Sequence, residues 1–429
     1  MSYTESLSKL LASADASEGC KLSVKTGGRT YTGLMMPRHD MSAPDTLVLK
    51  LDSGFNIGVR MRSDASIEVL EKPVKAVEKT EVPTFKKGLK KLVLLGTGGT
   101  IASRIDHRTG RVEPVMSGSE ILNLIPEISD VANIESKSLF SVYSDNMSPE
   151  HWQKIAVAVA EEINSGADGV LISHGTDTMG YTAAALSFML YNVPKPVVLV
   201  GAQRSSDRPS TDAAGNLIAG ARFCVDGNKA GVFVVMHETI GDDLFAVHSG
   251  TRVRKMHSSR RDAFRSMNVP LVARIDRDGK IEHLSECRPV SDRKIKADTK
   301  MEENCLLLYC FPGMKPESFE DAVMNSKGVV LAGTGLGHVN ESMIPLIRKA
   351  TEAGIPVVMT TQCLEGTVNL NVYNAGREIL AAGAIPAEDM LPETALVKLM
   401  WILGNYPADA TESIMNVSFA GETSDRRVL

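Results

Sequence analysis

The chain has 429 residues, 43% of them hydrophobic and 23% charged, a composition typical of folded globular proteins. At this length it can form two or three domains that each bury a core. Its 47 lysines and arginines against 52 aspartates and glutamates give a formal charge of -5, so no overall positive field attracts it to nucleic acids. We therefore expect any contact with a nucleic acid to be made by a local patch or by a partner.

No stretch of the sequence has the pattern of a signal peptide or a membrane span. The first residues are mixed and polar, and no apolar run approaches the roughly 20 residues that cross a bilayer. The six cysteines are scattered without a Cys-x-x-Cys pair, which favours buried free thiols over disulfides or a metal site. These features predict a cytoplasmic protein that binds no membrane and no metal.

Residues 1–75 predict a small all-β barrel. Residues 21–36 contain two alternating runs joined by a Gly-Gly pair, which is a typical hairpin signal. The pattern recurs over 46–60, and 66–70 offers a fifth strand. Five short strands of this kind favour a compact barrel.

Residues 76–91 are charged, contain a proline and have no apolar periodicity, which predicts a linker. Beyond it, short aliphatic runs alternate with helical stretches, as in an α/β fold with a parallel sheet buried on both faces. The predicted strands cover 91–95, 169–173, 196–200, 231–236, 304–311, 328–332 and 356–361.

A polar stretch at 286–303 divides this α/β part into a first lobe at 92–285 and a second lobe with its tail at 304–429. The clearest helix is predicted to begin after Ser148, with an apolar stripe that continues until Gly166. Parallel α/β sheets bind ligands at the carboxyl ends of their strands, so the functional residues are expected there.

The glycine-rich stretch LLGTGGTIAS, residues 94–103, follows the first of these strands. A phosphate-binding P-loop requires Lys-Ser/Thr after its last glycine, and the dinucleotide pattern requires glycine where Ile101 stands, so neither motif matches. The stretch instead presents Thr97 and Thr100. An isolated threonine at this position more often caps a following helix than performs chemistry.

A second loop, LISHGTDTMGYTAA at 171–184, changes this interpretation. It places His174, Thr176, Asp177 and Thr178 just past another aliphatic strand. If the two strands are neighbours, two hydroxyl groups and a carboxylate meet at one edge of the sheet.

A threonine hydroxyl becomes an effective nucleophile when a base accepts its proton, and a partly buried or carboxylate-bound lysine can do so. Lys255 is a candidate, in a segment with five arginines between 252 and 265. By charge alone, this segment is more typical of a solvated basic loop.

GTGGTIAS and SHGTDTM resemble the two signature motifs of the bacterial-type L-asparaginases, and residues 231–264 resemble the third active-site segment of that family. The three segments occur in the family's order at compatible separations. The resemblance implies a two-lobed asparaginase-like fold with Thr97 as a candidate nucleophile. It also implies a Thr176–Lys255–Asp177 cluster that transfers protons, and leaves open which threonine attacks first.

The same resemblance implies how the substrate is bound. SVYSDNMSP, residues 141–149, is similar to the family's loop for the substrate α-carboxylate, which implies Ser144 and Asp145. Asp177 is implied to bind the substrate ammonium group as well. Gly98 and Gly175 lie in the glycine-bearing loops whose backbone N–H groups are implied to contact the substrate and form an oxyanion hole.

Two features depart from simple asparaginases. No tyrosine lies between Thr97 and Tyr143, where those enzymes have a lid tyrosine, and an N-terminal β-module is added. Residues 362–380 and 386–405 resemble the GatD family, the asparaginase-like subunits of the archaeal glutamyl-tRNA(Gln) amidotransferases, and this likeness covers nearly the whole chain.

This second resemblance implies a glutaminase that forms an acyl-enzyme and releases ammonia. A separate partner chain, GatE, would use ATP and Mg to activate the glutamate of Glu-tRNA(Gln), so that no cofactor is expected on this chain. The implied assembly is a homodimer within a heterotetramer that contacts the tRNA mainly through the partner. A free-standing L-asparaginase and a non-catalytic scaffold stay open as alternatives.

Overall fold

The computed structural model describes most of the chain. Thr100 and much of the segment that follows it lie outside the described residues, as does most of the predicted linker. The described residues are 3–36, 38, 43–51, 56–72, 85–99, 103–106, 111–114, 125–204 and 211–424.

The N-terminal module is an antiparallel sheet of five strands in the order β4-β3-β2-β1-β5, as the all-β prediction requires. Thr26 Oγ1, at the end of β1, donates a hydrogen bond to the carbonyl of Arg60 at 3.3 Å, which brings the ends of β1 and β4 together. The strands are β1 Lys21–Thr26, β2 Arg29–Met35, β3 Thr46–Lys50, β4 Asn56–Arg60 and β5 Ser66–Glu71.

A helix that we did not predict precedes these strands. Helix α1 covers Glu5–Ser13, and the side chain of Thr4 caps it by accepting a hydrogen bond from the Leu7 amide. Leu7 and Leu11 are buried in the core of the module. Their spacing of four residues places both on one face of a helix that is otherwise polar.

The first lobe contains an eight-stranded sheet in the order β17-β16-β13-β12-β11-β10-β6-β9. Its strands are parallel from β9 to β12 and antiparallel from β12 to β17. Two-stranded ribbons β7/β8 and β14/β15 lie outside it. The strands are β6 Lys91–Gly98, β7 Ser103–Asp106, β8 Arg111–Pro114, β9 Asn133–Val142, β10 Gly169–Ser173, β11 Pro196–Val200, β12 Gly231–His237, β13 Leu244–Ser249, β14 Val253–Lys255, β15 Phe264–Ser266, β16 Ala273–Asp276 and β17 Ile281–His283.

Three helices of this lobe cover the sheet: α2 Pro149–Asn164, α3 Met179–Met189 and α4 Ala213–Asp226. Helix α2 begins as predicted, with Ser148 as N-cap and Pro149 in the first turn. The described part of the lobe also contains two short 3₁₀ turns, Pro126–Asp130 and Ser144–Asn146.

The second lobe is a four-stranded parallel sheet in the order β18-β19-β20-β21. Phe188 of α3 stacks on Trp401 of α8 at 6.1 Å between ring centroids, within a hydrophobic core shared by the two lobes. This arrangement confirms the predicted two-lobed α/β fold. The elements are β18 Cys305–Tyr309, α5 Glu320–Asn325, β19 Gly328–Gly333, α6 Ile344–Glu352, β20 Val357–Thr361, α7 Asn374–Ala381, β21 Ile385–Pro386, α8 Pro392–Asn405 and α9 Thr411–Met415, with 3₁₀ turns at Pro316–Ser318, Glu341–Met343 and Ala408–Ala410.

Within the described ranges, no helix is long and apolar enough to cross a bilayer. The same residues contain no group of three or more His, Cys, Asp or Glu side chains able to hold a metal ion. All six cysteines are free thiols, and the prediction that they are buried is confirmed for Cys20, Cys224 and Cys310. Cys287 and Cys305 are only half-buried, and for the exposed Cys363 the prediction is wrong.

Candidate active site

Strands β6 and β10 are parallel neighbours, as the two-loop interpretation requires, with Gly96 opposite Ser173. Thr97 lies inside β6 and its side chain is buried. Its Oγ1 donates a hydrogen bond to the carbonyl of Ser173 at 2.7 Å. Thr97 is therefore not a helix cap, because its hydroxyl group is directed to the strand that leads into the second loop.

Thr176, Asp177 and Lys255 form one hydrogen-bonded cluster. Lys255 Nζ donates to Thr176 Oγ1 at 2.8 Å and to Asp177 Oδ1 at 2.9 Å. The Lys255 side chain is only 13% exposed, whereas that of Asp177 is 69% exposed. The lysine is thus enclosed by the cluster, while the carboxylate also faces outward, where a ligand can reach it.

The 3₁₀ turn after β9 brings Ser144 to the same place. Ser144 Oγ donates to Asp177 Oδ2 at 3.3 Å, and the hydroxyl group of Thr178 donates to the Ser144 carbonyl at 2.6 Å. Asp145, the next residue, is exposed, and among the described residues it makes no hydrogen bond to Ser144, Asp177 or Lys255. The structure therefore joins Ser144 to the cluster by a hydrogen bond, whereas the exposed Asp145 side chain has none to these described residues.

Glycine is required where these loops meet, because their backbones approach too closely for a Cβ atom. A Cβ on Gly98 would lie 2.5 Å from the carbonyl oxygen of Val142, and one on Gly175 would lie 2.6 Å from Ser144 Cβ. Gly98 also has a φ of +103°, in the region that favours glycine. These glycines allow the ends of β6, β9 and β10 to converge at one edge.

A buried chain of hydrogen bonds supports the loop from His174 to Asp177. Trp152 Nε1 donates to Thr182 Oγ1 at 2.9 Å, and that hydroxyl group lies 2.8 Å from His174 Nε2. The Gly175 carbonyl next to His174 Nδ1 can only accept, so in the neutral ring Nε2 is the acceptor and the Thr182 hydroxyl group donates to it. His174 Nδ1 then carries its proton and donates to the Gly175 carbonyl at 2.7 Å.

Burial lowers the pKa of His174 to about 4, against which its hydrogen bond to the Gly175 carbonyl acts in the opposite direction. The imidazole is therefore neutral at neutral pH and can act in this chain as both acceptor and donor. Sequence reasoning placed His174 near the site but missed Thr182 and Trp152 as its supports, because they lie on separate helices.

The five arginines around Lys255 are ion-paired, although residues 256–260 of the segment are exposed as in a solvated loop. Each has a carboxylate partner within 3.3 Å. Lys255 itself ends strand β14, which pairs with β15. The pairs are Arg252 with Asp389, Arg254 with Glu393, Arg260 and Arg265 with Asp262, and Arg261 with Asp242.

Chemically, this edge combines two threonine hydroxyl groups, an amine bonded to one of them and an accessible carboxylate. Such a set suits attack on a carbonyl group by a hydroxyl whose proton is accepted by a nearby base. The described residues of the edge offer no set of metal ligands.

Three family models match the chain. The Asparaginase, N-terminal family covers residues 91–287, the Glutaminase/Asparaginase C-terminal domain covers 304–415, and the GatD N-terminal domain covers 16–70. Together these matches span most of the chain, including the β-module.

Among solved structures, the thermostable L-asparaginase of Thermococcus kodakarensis is similar at a TM-score of 0.71 and 35% identity, over 78% of this chain and all of that one. L-asparaginase I of Vibrio cholerae is similar at a TM-score of 0.68 and 27% identity, over 78% of this chain and 99% of that one.

Longer matches occur among the GatD subunits of glutamyl-tRNA(Gln) amidotransferases. That of Pyrococcus abyssi is 52% identical over 401 residues, which cover 92% of this chain and 91% of the relative. That of Methanothermobacter thermautotrophicus is 44% identical over 99% of this chain and 98% of its own length. The chain therefore belongs to the GatD family of the glutamyl-tRNA(Gln) amidotransferases, on an asparaginase-like fold.

Proposed function

We propose that the chain hydrolyses glutamine and supplies the released ammonia for the amidation of Glu-tRNA(Gln). The observation that carries the proposal is Lys255 Nζ, bonded to both Thr176 Oγ1 and Asp177 Oδ1 at the sheet edge where Thr97 also lies. The names of the relatives and the GatD N-terminal match support the same assignment.

In the first step, Thr97 Oγ1 attacks the side-chain carbonyl carbon of glutamine. The C–N bond breaks, the nitrogen leaves as ammonia after it gains the threonine proton, and a glutamyl ester of Thr97 remains. In the second step, water attacks this ester, which releases glutamate and returns the proton to Thr97 Oγ1. Both steps balance without an oxidant or a reductant.

Proton transfer is assigned to the cluster of Thr176, Lys255 and Asp177. The separation of 2.8 Å between Lys255 Nζ and Thr176 Oγ1 is within the range over which a positioned base accepts a proton. Asp177 holds the lysine through Oδ1 and, being largely exposed, is assigned to bind the substrate ammonium group.

Substrate orientation is assigned to the converging loops. The hydroxyl group of Ser144, bonded to Asp177, is the proposed contact for the α-carboxylate, and backbone N–H groups at Gly98 and Gly175 are the proposed oxyanion donors. Asp145 is proposed to contact the substrate only from the solvent side of the site, because its side chain is exposed and not hydrogen-bonded to the cluster.

The amidation itself is assigned to a partner chain, GatE, which would bind ATP and Mg and activate the tRNA-bound glutamate. The proposed assembly is a homodimer of this chain within a heterotetramer. The formal charge of -5 supports a division in which the partner makes most of the tRNA contacts.

The test is the formation of Gln-tRNA(Gln) by the complex, with either glutamine or ammonium as nitrogen donor. Thr97→Ala, Thr176→Ala, Asp177→Asn and Lys255→Ala are each expected to abolish the glutamine-dependent reaction and to leave the ammonia-dependent one intact. Lys195→Ala is the matched control, because Lys195 is also ion-paired and its side chain is 14% exposed. Loss of both reactions in the four variants would contradict the division of roles.

The solved L-asparaginases favour a second candidate, a free-standing L-asparaginase. Rapid asparagine hydrolysis by the isolated chain, without partner or tRNA, would support it. Retained glutamine-dependent amidation in a Thr97→Ala/Thr176→Ala double variant would instead support a non-catalytic scaffold.

A further inference from the structure

Strand β14, which ends at Lys255, does not belong to the eight-stranded sheet. It pairs with β15 alone, with Val253 opposite Ser266 and Lys255 opposite Phe264. Its own residues, 253–255, therefore form no ladder with the large sheet, although the amide of Arg252, directly before the strand, donates to the carbonyl of Ser249 at the end of β13 at 3.1 Å. What holds β14 also determines where the Lys255 amine lies.

Side chains along this strand alternate between two surroundings, as those of extended backbone do. Val253 is buried in the core that the two lobes share, and Lys255, on the same side of the strand, bonds to Thr176 and Asp177 of the first lobe. Residues 252 and 254 face the second lobe, where Arg254 pairs with Glu393 at 3.1 Å. The strand is thus held between the lobes, with its lysine on the catalytic side.

Arg252 is the most extensively bonded residue of this strand region and is 1% exposed. Its Nη1 lies 3.1 Å from Asp389 Oδ2 and donates to the Asp389 carbonyl at 3.1 Å. Its Nε donates to the Gly421 carbonyl at 2.7 Å, and Nη2 donates to Ser424 Oγ at 2.9 Å. One guanidinium group therefore joins the active-site strand to the second lobe and to the C-terminal tail.

The tail, residues 416–424, is itself fixed in place. Glu422 pairs with Lys398 of α8 at 2.7 Å, and both side chains are fully buried. Glu422 also accepts from the amides of Phe419 and Ala420, and the hydroxyl group of Thr251 donates to the Ala420 carbonyl at 3.0 Å. The tail thus presents fixed acceptors to Arg252.

We propose that Arg252 is a positioning residue for Lys255 and that the tail is part of the support of the active site. Arg252 lies three residues before Lys255, about 10 Å along an extended strand, so it does not reach the substrate itself. It acts by holding β14 so that Lys255 Nζ stays within hydrogen-bond distance of Thr176 and Asp177. The catalytic importance of Lys255 rests on the proposed function, whereas its placement does not.

The planar guanidinium group bonds at once to Asp389 and to two residues of the tail through Nε, Nη1 and Nη2, a spread of donors in fixed geometry that a compact ammonium group does not reproduce. Arg252→Lys keeps the charge and removes this geometry, and Arg252→Ala removes both. Arg274→Gln is the matched control, because Arg274 also makes a close two-bond pair, with Glu238 at 2.6 and 2.7 Å, and Glu238 lies outside the β14/β15 ribbon.

The test measures how fast an amine-reactive ester acylates each lysine of the full chain, read by mass spectrometry. Arg252→Lys is expected to raise the rate at Lys255 at least threefold, and Arg252→Ala to raise it further. The rate at Lys195, which is 14% exposed and paired with Asp292, is expected to stay unchanged, as is every rate in Arg274→Gln.

An unchanged Lys255 rate in Arg252→Lys, or equal increases at Lys255 and Lys195, would overturn the proposal. In glutamine hydrolysis, the same variants are expected to lose at least tenfold in kcat with KM within twofold of the unsubstituted chain. If the complex of the unsubstituted chain with GatE does not hydrolyse glutamine, the proposed function fails, and the acylation rates of the chain still decide whether Arg252 positions Lys255.

Discussion

Replacing Thr182 by valine tests the hydrogen-bonded chain that supports the active-site loop. The substitution keeps the shape of a fully buried side chain and removes one hydroxyl group. Two buried groups then lose their partner, the indole N–H of Trp152 and the Nε2 atom of His174. His174 is fully buried and Trp152 is 6% exposed, so both groups are removed from bulk water.

A buried polar group left unpaired costs about 1–3 kcal/mol, so two such groups cost about 2–6 kcal/mol. The added methyl group is worth roughly 1 kcal/mol of apolar burial in the opposite direction. We therefore expect Thr182→Val to lower the free energy of unfolding by about 1–5 kcal/mol, measured by urea denaturation at neutral pH.

Ser187→Ala is the control on the same helix. Its hydroxyl group donates only to the carbonyl of Ala183 one turn earlier, so its loss costs less than about 1 kcal/mol. Thr182→Ser is expected to recover most of the stability, because it restores the hydroxyl group. A loss of stability in Thr182→Val no larger than that in Ser187→Ala would show that Thr182 does not link Trp152 to His174 as described.

Three further outcomes are expected. Burial lowers the pKa of His174 from 6.5 to about 4, so the unfolded chain binds a proton in this range that the folded chain does not. In urea titrations, His174 should therefore contribute a loss of stability of roughly 3 kcal/mol as the pH drops from 6.5 to 4. Burial also lowers the pKa values of His237 and His248, so His174→Asn should reduce this pH dependence by about that amount, and an unchanged dependence would contradict the assignment. Gly175→Ala forces a Cβ atom to within 2.6 Å of Ser144 Cβ, which should cost about 1–3 kcal/mol and raise KM for glutamine; an unchanged KM would count against Ser144 as a substrate contact. Glu422→Ala leaves the Lys398 ammonium group buried without its carboxylate and should cost about 3–5 kcal/mol in thermal unfolding, so a neutral effect would show that the tail is not fixed by this pair.

The central strands of the first lobe were predictable because they are buried on both faces. Strands β10 and β11 coincide with the predicted runs, and β12 extends the predicted run by one residue. A short, continuous aliphatic sequence is typical of a strand that is buried on both faces of a parallel sheet. The placement of Thr97 beside the loop of Thr176 followed from the same reasoning, because both loops leave neighbouring parallel strands.

The elements at the edges were not predictable in this way. Strand β9, Asn133–Val142, lies at one edge of the sheet, and its serines, lysine and glutamate conceal any apolar pattern. The burial of Arg252 had no local signal either, because its partner Asp389 lies 137 residues further along the chain. Charged residues that pair across lobes resemble a solvated loop until the fold brings their partners together.

The central claim is that a threonine at the end of β6 attacks the substrate carbonyl. A diazo-ketone analogue of glutamine alkylates the nucleophile that it meets in the site, and peptide mass spectrometry locates the adduct. We expect the adduct on Thr97, its absence from Thr97→Ala and slower formation in Lys255→Ala. An adduct on any other residue, or none from a chain that hydrolyses glutamine at full rate, would contradict the claim.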